Sequence, residues 1–243
     1  MSAHWSSPAS CRAWRPAPRP GALASLRPQF RLPAALRRPL FVATPALLAA
    51  WALAGFYGSL GPTMVRRLAD SSSLALGGIA LFVLAASGAL TVLVLHRRTA
   101  RTMLTIGTAA LVVGVAITLL ATVTGSLAVF FVGAVIAGGG FGAAFQGAIR
   151  SVLPLAQAHE RAGVLSILYV IAYLSMGLPA VLGGIRAVHG GGIVTTAREY
   201  GVTVMALAAI ALFSLLVRRP VGVPAALSTG AHQNAGPAVF RLQ

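Results

Sequence analysis

The chain contains no lysine, only three acidic residues (Asp70, Glu160 and Glu199) and a single cysteine, Cys11. Each shortage excludes a class. One cysteine permits no intramolecular disulfide and no thiol metal cluster. The five histidines, His4, His96, His159, His189 and His232, share no ligand spacing, so neither a metal nor any other cofactor is expected. Charged residues make up only 9% of the chain and hydrophobic ones 57%, where soluble domains run near roughly 25% charged. That balance belongs to an integral membrane protein. The 19 arginines give a net charge of +16, an excess that in a soluble chain points to nucleic acid. Here the arginines bracket apolar runs instead of lining one face. The expected partner is the lipid bilayer, and no nucleic acid.

What the chain does have is long uncharged runs. The stretch 126–149 holds 24 residues without a charge, about 36 Å as a helix and enough to cross the ~30 Å hydrocarbon core. A water-exposed helix would be destabilised by Gly138-Gly139-Gly140 and Gly142, at about 1 kcal/mol each relative to alanine. In a bilayer, small residues let neighbouring helices approach closely. Ala134, Gly138 and Gly142 recur every four residues as one small-residue stripe, and Gln146 lies one turn beyond on the same face. Five more spans follow from the same reasoning: 41–61, 71–95, 103–123, 162–185 and 200–217. The first carries a second stripe, Ala46, Ala50, Ala54 and Gly58, and ends at Gly61-Pro62. The second is expected to be capped by Ser71-Ser72-Ser73. Residues 102–149 are uncharged throughout, 48 in all, and Gly125-Ser126 divides them into two helices. The fold class is therefore all-α, with six transmembrane helices.

Residues 1–38 hold seven arginines, no acid and six prolines. They lack the apolar run of a signal peptide, and their prolines break the amphipathic helix of a transit peptide. A disordered basic tail is expected at 1–38, a six-helix domain at 39–219 and a second disordered tail at 220–243. Arg/Pro/Ala-rich sequence like that of 1–38 also arises when GC-rich DNA is read from a wrong start. Cytoplasmic loops retain arginine. With the N-terminus inside, 15 arginines fall on the inner side and four (Arg66, Arg67, Arg186 and Arg198) on the outer. Both termini are therefore expected in the cytoplasm and the chain in the plasma membrane.

None of the six spans contains Asp, Glu, Lys, Arg or His, so the chain brings no intramembrane proton carrier of its own. Nor does it bring an enzyme's constellation. A membrane serine protease needs an embedded histidine, and His159-Glu160 lacks the second histidine of His-Glu-x-x-His. Gly190-Gly191-Gly192 lacks the strand, lysine and helix of a phosphate loop and reads as a linker. The polar residues left for a substrate path are Gln146, Tyr169, Tyr173, Trp51 and Tyr57. Against cavity lining stand an interhelical hydrogen bond for Gln146 and interfacial anchoring for the aromatics, above all Tyr57 near the outer end.

Six spans with both ends inside, a glycine-rich fourth helix and an arginine-rich loop after the second resemble one half of a major facilitator superfamily transporter. Residues 130–184 look like the tenth and eleventh helices of bacterial members with their cytoplasmic connection. The loop His96-Arg97-Arg98-Thr99-Ala100-Arg101 is similar to the family's D-R-x-G-R-R signature. Arg97 and Arg101 fall on its basic positions, with His96 in place of Asp and Thr99 in place of Gly. Gly177-Leu178-Pro179 and Gly183-Gly184 resemble the antiporter G-P-x-x-G-G motif only with an extra residue on each side. The resemblance implies a permease, or its C-terminal half, moving a small-molecule solute by alternating access. It implies a cavity lined by the first, second, fourth and fifth spans, with the third and sixth turned more to lipid. A second six-helix half or a homodimer would complete the unit. The apolar walls lean towards efflux of hydrophobic solutes. The alternatives are a non-transporting membrane scaffold and an inactive, truncated remnant of a transporter.

Overall fold

A computed structural model describes residues 34–71 and 73–217. Of the tails expected from the sequence, 1–33 and 220–243 lie outside the described residues. Those described form helices and no strand. In chain order they are α1 (Ala34–Ser59), α2 (Gly61–Leu68), α3 (Leu74–Val94), α4 (Ala100–Thr124), α5 (Leu127–Val152), α6 (Arg161–Arg186) and α7 (Ile193–Val217). All but α2 are long and apolar enough to cross a bilayer, the pattern of a multi-pass membrane protein.

Helix ends differ from the expected spans for a common reason. A span drawn between charges stops at the first arginine, whereas a helix continues through the headgroup layer with its charged side chains reaching water. Thus α7 begins at Ile193 and includes Arg198 and Glu199, and α1 begins at Ala34 and continues through Pro39 and Pro45. Gly61-Pro62 does not simply end the first span. It opens α2, whose Gly61, Met64 and Val65 are buried, because proline is tolerated in a first helical turn. The expected serine cap is absent as well. Ser73 takes the cap position without a side-chain bond to the helix, and the Ser71 hydroxyl accepts from the Ser73 N–H at 3.2 Å. Thr99 and Ser126 cap α4 and α5 instead. Between those two helices Gly125 has φ +66°, a left-handed conformation that favours glycine at a helix end.

Two helices hold the bundle together. Along its length α5 packs on α4, α3 and α1, while α1 packs on α6, α7 and α5. The most apolar stretch of α1 is 61% buried and that of α5 56%, against 22% each for α3 and α6.

Small residues set these contacts. Along the antiparallel α4–α5 seam Gly107 meets Ala144, Leu111 meets Gly140, Gly114 meets Ala137 and Thr118 meets Gly133. On the adjoining face Gly138 and Gly142 meet α3 at Leu84, Ser87 and Gly88, and Gly139 meets Thr91. The triple glycine thus serves two neighbours at once, its outer members pressed against α3 and α4. The α5 stripe Ala134, Gly138 and Gly142 is fully buried.

The α1 stripe holds only in part. Ala46 and Ala50 are buried, Ala54 is half-buried and Gly58 is exposed with open space around it. A strict four-residue repeat drifts about 40° per step around a helix of 3.6 residues per turn, so three steps carry Gly58 off the contact face. The close approach belongs to Gly55, where a Cβ would lie 2.8 Å from the Tyr200 hydroxyl oxygen.

Hydrogen bonds between helices lock the same core. The Tyr200 hydroxyl donates to the Ala52 carbonyl at 2.9 Å, and Tyr57 and Thr118 share a bond of 2.7 Å. At the helix ends, Arg101 donates to the Leu215 carbonyl at 2.8 Å and Arg150 to the His96 carbonyl at 2.7 Å. Both satisfy orphan carbonyls near helix C-termini, where a cation also meets the negative end of the macrodipole.

Candidate functional site

The face shared by α1, α5 and α6 carries five aromatic rings. Trp51 from α1 lies 5.8 Å from Phe141 and 5.3 Å from Phe145, both on α5, and 5.3 Å from Tyr173 on α6. Phe145 also meets Tyr169 at 6.2 Å, and Tyr169 and Tyr173 stack at the same distance. Phe141 and Phe145 are four residues apart, as are Tyr169 and Tyr173, so each pair shares one helix face. The tyrosine rings stay open to the surroundings, at 41% and 57% exposure. Trp51 is half-buried, and its Nε1 hydrogen is enclosed without an acceptor among the described residues.

Gln146 stands beside this cluster. It lines a groove of about 460 Å³ between α3 and α5, with Gly88, Ala89, Phe141 and Phe145 among its walls. It also lines a second groove of about 360 Å³, which runs past Ile149, Leu153 and Pro154 to Arg150 and Arg161. Among the described residues none hydrogen-bonds the Gln146 amide. An unpaired amide facing hydrocarbon costs several kcal/mol. That cost would be relieved by a polar guest or water beside Gln146.

No family model, curated protein or solved structure matches the chain. Its function therefore rests on its own residues.

Of the sequence candidates, Trp51, Tyr169 and Tyr173 come together, with Gln146 one residue beyond Phe145. Tyr57 does not join them. Its ring is fully buried, lies 5.4 Å from Phe56 and 5.7 Å from Phe130, and its hydroxyl is spent on Thr118. It is a core residue, neither interfacial anchor nor cavity wall, because the turn into α2 folds over the C-terminal end of α1, with Gly61 against the Tyr57 ring, and removes it from the surface. Arg97 donates to the neighbouring His96 ring at 3.2 Å, whereas Arg101 reaches α7. Phe141, Phe145 and Arg150 were not singled out from the sequence. The Phe-x-x-x-Phe-Gln spacing was the available signal for the first two. Among the described residues no three metal-ligating side chains gather.

What the arrangement offers a ligand is contacts. Aromatic rings supply stacking surface, and Gln146 supplies two donors and an acceptor.

Proposed function

We propose that the chain is a solute-transporting membrane unit equivalent to the C-terminal half of a major facilitator superfamily permease. It sits in a bacterial plasma membrane with both termini cytoplasmic and moves its solute by conformational change, without enzymatic chemistry. The observation that carries this reading is the aromatic and amide face. It is built from the first, fourth and fifth spans and flanked by the second, the four that the family resemblance assigns to a transport cavity. The uneven burial supports it too. The second and fifth spans, α3 and α6, are less buried within the chain than α4 and α7, at 22% against 39% and 33%. A second six-helix half, or a second copy, seated across α3 and α6 would enclose the face and turn α4 and α7 to lipid. Any carboxylate for proton coupling would come from that second half.

The test is flux. The full chain, alone and co-reconstituted with a second six-helix chain, is placed in proteoliposomes and offered labelled small aromatic solutes. The expected result is saturable flux of at least one solute above empty liposomes. Absence of flux for every solute under both conditions would contradict transport and leave the scaffold reading.

A further inference from the structure

Accepting that reading, we infer that the solute is an amphipathic organic anion with a flat apolar body and an acidic head. The two grooves that meet at Gln146 have unlike walls. The α3–α5 groove is lined by alanine, glycine, valine, leucine and the rings of Phe141 and Phe145. The other has Arg150 and Arg161 in its wall.

Neither arginine has a carboxylate partner among the described residues, where the only ion pairs are His159 with Glu160 and Arg186 with Glu199. Arg150 uses Nη1 on the His96 carbonyl, and Arg161 uses Nε on the Ala156 carbonyl at 3.4 Å. A guanidinium has five N–H donors, so each keeps several for a guest. The one acid nearby, Glu160, accepts from the Gln157 N–H at 3.0 Å. Gln146 stands between the arginines and the rings, with its amide free to donate to the same head.

Electrostatics then selects the sign. Among the described residues no acidic side chain lines either groove, so a cation would meet two positive groups and no carboxylate to pair with. A carboxylate or sulfonate would gain charge-assisted hydrogen bonds. Size follows from helix rise. Phe145 to Arg150 spans about 7.5 Å and Phe141 to Arg150 about 13.5 Å along the axis, which fits a bicyclic aromatic acid.

A matched pair of probes tests this: 2-naphthoate and 2-naphthylmethylammonium, alike in body and opposite in charge. Binding to the full chain in phosphatidylcholine nanodiscs is measured by titration calorimetry against empty nanodiscs. The expected result is naphthoate binding about tenfold or more tighter than the ammonium. Arg150→Gln with Arg161→Gln removes the preference, and Arg97→Gln, at the same end of the bundle, retains it. Should the double variant fail to fold, Arg161→Gln alone is expected to reduce the preference by about half on a logarithmic scale. Equal binding of both probes, preference for the cation, or preference that survives the arginine changes would overturn the inference.

Anionic lipid carries the same head chemistry, so a second arm replaces part of the phosphatidylcholine with phosphatidylglycerol. Unchanged naphthoate binding supports a solute site, and its abolition reassigns the arginines to a lipid headgroup and overturns it. Flux of the same probes separates this inference from the transport reading. Naphthoate bound but never carried would refute transport alone, and a carried cation would refute the anion alone.

Discussion

Gly140→Ala is expected to destabilise the helical bundle by about 2–3 kcal/mol, whereas Gly58→Ala is neutral or stabilising by up to about 1 kcal/mol. Both glycines sit in helices, so the intrinsic gain from alanine is the same in each. The surroundings differ. A Cβ on Gly140 would lie 2.6 Å from the Leu111 nitrogen and 2.8 Å from the Gly107 carbonyl oxygen, while one on Gly58 meets nothing within 4 Å. The obstacles at Gly140 are backbone atoms of α4, which no rotamer change can move aside. Relief requires the two helices to part, and α4–α5 is the most extensive helix pair in the molecule. Unfolding by denaturing detergent, followed by circular dichroism, reads the difference. Equal stability of the two variants would show that α4 and α5 are not packed backbone to backbone.

Trp51→Ala is expected to lower solute flux at least about tenfold at equal membrane abundance, with Trp51→Phe falling between it and the parent chain. The alanine variant removes ring contacts to Phe141, Phe145 and Tyr173, each contributing about 0.5–1.5 kcal/mol beyond simple burial. The phenylalanine variant keeps a smaller ring and deletes the enclosed indole N–H, which has no acceptor among the described residues. The smaller ring keeps only part of the contacts to Phe141, Phe145 and Tyr173, so a loss of about 0.5–1.5 kcal/mol in apparent affinity is expected. The measurement is initial flux against solute concentration. An alanine variant indistinguishable from the parent would mean that the Trp51 ring plays no part in recognition.

Much of the architecture could be read from charge alone. Six uncharged runs correspond to six long helices because a bilayer penalises ionised side chains and unpaired backbone equally for any sequence. The division at Gly125-Ser126 was legible for the same local reason. What periodicity in one run could not show was which of its faces meets which neighbour. The stripe on α5 was visible as a four-residue repeat, but the α4–α5 seam follows a seven-residue repeat, Gly133, Gly140 and Gly147 against Gly107 and Gly114, split across two helices. Gly58 was misplaced because a fixed four-residue step drifts away from its own contact. Tyr57 was misplaced because depth in a span says nothing about whether a later segment, here α2, folds back over it. The grouping of Trp51 with Tyr169 and Tyr173 needed positions more than 110 residues apart to be brought together, and no local pattern encodes that.

The central claim is that the Gln146 groove beside the α1–α5–α6 ring cluster is wetted while the outward face of α4 meets lipid. Thiol accessibility tests it most directly, in a Cys11→Ser background carrying either Gln146→Cys or Ile106→Cys. The two positions lie at similar depth, since Gly107 packs against Ala144, but Ile106 is an exposed apolar residue of α4 outside both grooves. A thiol in hydrocarbon loses its reactive thiolate as burial raises its pKa. In native membranes, a water-soluble maleimide is predicted to label the cysteine at 146 roughly tenfold or more faster than the one at 106. Equally slow labelling at both positions would contradict the account.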